Sequence, residues 1–128
     1  GEPAAVAMAR MASARPGQMS VLALGPLTNV ALACRLDPHF ANNCKELIVM
    51  GGCSRARGNA SLTAEFNFWS DPEAAHVCMD AFSGRGGGEC ALSLLPLPCP
   101  APFPPSTVSI SRALRSPRDR PPPGGARV

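Results

Sequence analysis

Two short apolar runs constrain this chain most: Met19-Ser20-Val21-Leu22-Ala23-Leu24 and Glu46-Leu47-Ile48-Val49-Met50. Each is stopped by glycine, Gly25-Pro26 after the first and Gly51-Gly52 after the second. Nearly continuous apolar strands are the pattern of a parallel sheet with helices on both faces. Helical stretches fill the spaces before, between and after them. The order helix, strand, helix, strand therefore predicts an α/β domain whose parallel neighbours are joined by right-handed crossovers.

The helical stretches carry their own signals. Ala4 to Ala14 is rich in Ala and Met, with Pro3 suited to a first turn and Arg15-Pro16-Gly17 as a stop. Pro26 can open a helix over 27–35, in which Leu27, Val30, Ala31 and Cys34 share one face. Asp37-Pro38 interrupts it, and 38–43 can add a further turn. Residues 53–63, with Ser, Arg, Gly and Asn, read as a loop. Asp71 is placed to cap a last helix reaching about Phe82, with Pro72 in its first turn and Glu73 near the positive end of its dipole.

Beyond Phe82 the composition changes. Of 15 prolines, ten lie after that residue, and 83–128 carries six Arg against two acids. Gly84-Arg85-Gly86-Gly87-Gly88 reads as a linker and the remainder as a disordered Pro/Arg-rich tail, so the expected division is a domain over 1–82 and a tail over 83–128. The net charge of +3 belongs to the tail. It gives no reason to assign a nucleic-acid surface to the folded part, and aromatic interleaving for single strands is missing.

The run Ala91–Leu95 is too short to cross a bilayer, which excludes a membrane span. Gly1 reads as an internal cut, and no charged n-region precedes an apolar h-region, so no signal peptide is expected in this sequence. The six Cys form no C-x-x-C pair and lie outside zinc-site spacing from His39 and His76. Reduced thiols and a cytoplasmic location are the expectation.

The chemistry-bearing residues cluster after the strands. Ligands of open parallel sheets bind beyond the carboxyl ends of strands, where Leu24 and Met50 sit. Asn59, Glu65 and Asn67 follow, and carboxylates and carboxamides can hold sugar hydroxyls with paired donors and acceptors. If the backbone is extended there, residues 65 and 67 point to one side and Phe66 to the other. Read alone, Leu24 is the last apolar residue of a strand and Glu-x-Asn a solvated loop. Thr28 and Asn29 read as capping or packing residues, His76 as a packing or surface histidine, and Arg55 and Arg57 as loop charges.

The order and spacing of Leu24-Gly25-Pro26-Leu27-Thr28-Asn29, Met50-Gly51-Gly52, Gly58-Asn59, Glu65-Phe66-Asn67 and Asp71-Pro72-Glu73-Ala74-Ala75 resembles the inosine-uridine-preferring nucleoside hydrolase family. The resemblance implies part of a Rossmann-like nucleoside hydrolase fold, parallel strands with flanking helices. It implies hydrolysis of the N-glycosidic bond of a purine or pyrimidine ribonucleoside, giving ribose and a nucleobase. By the same resemblance calcium is the cofactor, with the Leu24 backbone carbonyl among its ligands. Asn59 and Glu65 would hold the ribose 5′-hydroxyl, Asn67 the 2′ and 3′ side, and Met50 would pack beneath the ribose.

The family's aspartate run, D-T-D-x-G-x-D-D, does not occur in this sequence, nor does its later His-Asp pair. No catalytic residue is therefore assigned, and the chain alone is expected to be inactive. The alternative is a non-catalytic truncated isoform or fragment acting through protein association, with homo-oligomerisation left open. Two strands alone would also leave sheet edges and apolar faces uncovered.

Overall fold

The structure, a computed structural model, describes residues 1–83 and 90–96 and the backbone of 108–109. Among the described residues nine elements follow one another: α1 (Ala4–Ala14), β1 (Met19–Ala23), α2 (Thr28–Leu36), α3 (Phe40–Asn43), β2 (Cys44–Met50), α4 (Phe66–Ser70), α5 (Pro72–Phe82), β3 (Ala91–Leu95) and β4 (Val108–Ser109). The strands form one sheet in the order β1-β2-β3-β4. β1 pairs parallel to β2, with Ala23 opposite Val49, and β2 pairs parallel to β3, with Val49 opposite Leu94. β4 joins antiparallel to β3.

Alternation decides which face the helices cover. Val21, Ala23, Leu47, Val49 and Leu92 are buried together with Leu27, Val30 and Ala31 of the α2 region and with Ala74, Cys78 and Phe82 of α5. Leu22, Leu24 and Met50 point the other way and stay exposed. Phe40 and Phe82 meet edge to face at the back of this core, their ring centroids 6.1 Å apart and their planes at 86°, a geometry the aromatic quadrupole favours.

Helix ends follow their chemistry. Gly17 takes a φ of 72° after α1, a left-handed turn that glycine enters without penalty, and its N–H donates to the Asn43 carbonyl. Asp71 caps α5 by accepting the Ala74 N–H, and the Thr28 hydroxyl donates to the same carboxylate, tying the starts of α2 and α5 together. The Thr28 hydroxyl, then the Ala74 N–H, hold Asp71 below the usual carboxylate range. A carboxyl depressed in the folded state stabilises above its ordinary range, and that contribution disappears as the pH falls through the folded value.

One expectation is overturned. Ala91–Leu95, read as part of a disordered tail, is a strand beside β2. Pro96 comes just after the last paired residue, outside the ladder with β2, and Leu92 inserts fully into the core. The stretches 84–89, 97–107 and 110–128 lie outside the described residues. The five cysteines among the described residues are free thiols. Burial pushes Cys44 up to about 12 and Cys90 up to about 11, so both stay protonated and pack as small apolar groups. No helix among the described residues is long and apolar enough to cross a membrane.

Candidate functional site

Because β1 and β2 run parallel and side by side, their carboxyl ends finish together. Leu24 and Met50 lie there, with carbonyls that have left the β1–β2 ladder. The side chain of Asn67, in the first turn of α4, bridges the gap. Its Nδ2 donates to the Met50 carbonyl at 2.8 Å and to the Leu24 carbonyl at 3.4 Å. Asn67 is only 5% exposed, so these bonds also satisfy groups that burial would otherwise leave costly.

The first turn of α4 is capped from two places. Asn59 Oδ1 accepts the Phe66 N–H at 2.8 Å. Glu65, the N-cap residue, accepts the Asn67 N–H on Oε1 at 2.8 Å and the Phe68 N–H on Oε2 at 3.3 Å. Its Oε2 also accepts the Gly52 N–H at 2.9 Å, from the turn after β2. Glu65 is likewise 5% exposed. A helix start leaves its first N–H groups without internal partners, and here three of them are met by side-chain oxygens.

Close approach explains the glycines of this unit. A Cβ on Gly51 would sit 2.8 Å from the Phe68 ring and 3.1 Å from Glu65 Oε2, and Gly52 has a φ of 84°. The Gly51 N–H donates to the Leu95 carbonyl at 3.0 Å, so the turn is also held from β3. In the loop before α4, the Ala64 carbonyl accepts N–H groups from Asn59, Ala60 and Ser61. A Cβ on Gly58 would fall 2.1 Å from that carbonyl oxygen. The loop thus closes on itself and fixes Asn59 against α4.

The structure therefore gathers Leu24, Met50, Asn59, Glu65 and Asn67 into one hydrogen-bonded unit. It corrects how they are arranged. Residues 65 and 67 do not share a face of extended chain. Glu65 ends the extended backbone and Asn67 lies in the first turn of a helix, because a carboxylate at the N-cap satisfies the turn that follows. Met50 joins through its carbonyl, and its side chain is half-exposed. Sequence reasoning missed α4, Phe68 and the Thr28–Asp71 link, since five residues between Glu65 and Asp71 are too few to show a helical period. His76, Arg55 and Arg57 are exposed and take no part.

Calcium takes six to eight oxygen ligands. Among the described residues no three His, Cys, Asp or Glu side chains gather to hold a metal ion. The Leu24 carbonyl is one oxygen, and it already receives an Asn67 N–H. The described residues do not by themselves fit the ion, and no step below runs through it.

Curated relatives include a probable uridine nucleosidase 1 of Oryza sativa subsp. japonica, 53% identical over 59% of this chain and 24% of its own length. The inosine-uridine preferring nucleoside hydrolase of Leishmania major is 46% identical over 51% of this chain and 20% of its own. The non-specific ribonucleoside hydrolase RihC of Salmonella agona is 46% identical over 59% and 25%. The chain thus spans about a quarter of the length of the curated relatives it matches.

Among solved structures, the plant nucleoside hydrolase PpNRh1 aligns with a TM-score of 0.62 at 33% identity, covering 72% of this chain and 27% of that one. An inosine-uridine preferring nucleoside hydrolase of Bacillus anthracis aligns with a TM-score of 0.66 at 29% identity, covering 76% and 32%. The sequence model of one family matches residues 1–101, most of the chain. With its parallel sheet, its joined strand ends and that match, the chain belongs to the inosine-uridine preferring nucleoside hydrolase family.

Proposed function

We propose that this chain supplies a ribose-recognising portion of a ribonucleoside hydrolase, whose reaction breaks the N-glycosidic bond and places a water oxygen on the anomeric carbon. The observation that carries this reading is the Asn67 amide joining the Leu24 and Met50 strand ends beside the Glu65 carboxylate. A carboxylate offers about four acceptor positions. Glu65 uses three on backbone N–H groups, which leaves one for a sugar hydroxyl. Asn59 and Glu65 are assigned to the 5′-hydroxyl, Asn67 to the 2′ and 3′ side, and Met50 to the underside of the ribose. Fixed amides and a carboxylate around the ring hold its geometry as positive charge develops there.

Orientation alone does not activate water, and none of these groups is assigned as a base. With uridine or inosine and added calcium, ribose release is expected to stay at the rate of the protein-free control. Ribose itself is expected to bind weakly, with a Kd on the order of millimolar. In an NMR titration it should move the Asn67 and Gly52 amide resonances. Release above the control overturns the inactivity, and a titration that moves no resonance overturns the sugar site.

A second, non-catalytic reading has one observation in its favour. Among the described residues β1 is an edge strand; its residues from Ser20 to Leu24 carry no charge or proline, and Leu22 on it is 58% exposed. Such an edge is open to pairing, and its neutral, repeated pattern suits a second copy of this chain running antiparallel. Sedimentation should then show a concentration-dependent dimer that Leu22→Glu weakens about tenfold or more, ~1.4 kcal/mol. A monomer at all concentrations removes this reading.

A further inference from the structure

Glu65 does more than a helix cap requires. Capping α4 needs only acceptors for the first-turn N–H groups, and the Asn67 and Phe68 bonds provide them. The third bond, from Gly52, comes from a turn thirteen residues away in sequence. It closes a circuit. Gly52 lies two residues after Met50, and Asn67 two residues after Glu65, while the Met50 carbonyl accepts from the Asn67 side chain. Two short backbone arms are thus joined at both ends, by the carboxylate on one side and the amide on the other. Phe68 and the bare Gly51 leave no room for the turn to slide, since even a Cβ would strike the ring.

We propose that Glu65 is a positioning residue for pentose recognition: by holding the Gly52 turn to α4, it sets where the Asn67 amide meets the strand-end carbonyls. This rests on the sugar-binding reading above, but its geometry can be tested without sugar. Glu65→Asp separates the two duties. Aspartate is a good N-cap and keeps acceptors for α4, while the arm, shorter by one methylene, no longer reaches Gly52.

The test compares the whole chain with E65D by NMR and hydrogen exchange, first without ligand and then with ribose. In folded E65D, the Gly52 amide is expected to exchange about tenfold faster or more, as fits losing a hydrogen bond to a charged acceptor. The Asn67 side-chain NH2 resonances should shift as well, and ribose affinity should fall about tenfold. Unchanged Gly52 exchange and unchanged Asn67 NH2 resonances overturn the proposal, because a simple cap would leave both alone. If E65D fails to fold, the wild-type chain decides. Gly52, Asn67 and Phe68 amides should exchange through one common opening, and three independent rates overturn the circuit. Wild type that shows the circuit without binding ribose sinks the sugar site and leaves the positioning geometry standing.

Discussion

Replacing Asn67 by aspartate is expected to destabilise the fold by about 3 kcal/mol at neutral pH, and the loss should shrink as the solution is acidified. The wild-type amide donates to two carbonyls from a buried position. A carboxylate there turns two attractions into oxygen facing oxygen, and an unmatched buried polar group costs about 1–3 kcal/mol, more when charged. The protonated acid can still donate one O–H to a carbonyl, so the folded state favours it. The folded pKa of the introduced group thus lies above the ordinary value of about 3.9. Stability relative to wild type is then best below that value and declines as the pH climbs through the folded one. Urea midpoints of wild type and N67D at pH 4 and pH 7 test this. Asn67→Ala, which loses the bonds without adding charge, should show no such dependence, and an equal deficit for N67D at both pH values contradicts the account.

Phe82→Ala should do the most damage to the chain as a whole. Phe82 is 1% exposed and meets Phe40, itself fully buried, edge to face. Emptying such a site costs about 3–5 kcal/mol. Native domains hold only about 5–15 kcal/mol in total. We therefore expect the cooperative melt of the wild type to be lost or to fall steeply in temperature. Phe82→Leu refills much of the volume and should cost less than about 1.5 kcal/mol. A melt of F82A close to that of wild type would place the core elsewhere.

How much of this could be read in the sequence depended on the range of each signal. α1 shows itself through an unbroken Ala-rich run, β1 and β2 through apolar runs ended by glycine, and α5 through Asp71-Pro72 at its start. Those are local signals. β3 escaped because its five residues sit among glycines and prolines, and only its pairing with β2 makes it a strand. The site was legible as a set of positions, through motif order, and not as an arrangement. Nothing in Glu65-Phe66-Asn67 announces that the carboxylate turns back to the Gly52 N–H, because that bond exists only after β2 and α4 have met. Tertiary contact decided the backbone there, as it often does for short segments.

The Gly51 N–H spends itself on the Leu95 carbonyl. The last residue of β3 is thus an anchor for the turn on which Glu65 and Asn67 depend, although the motifs that mark the family end well before it. Shortening the polypeptide to those motifs would keep the five gathered residues and remove the bond that holds the turn after β2. Any minimal version of this hydrogen-bonded unit has to carry the third strand with it.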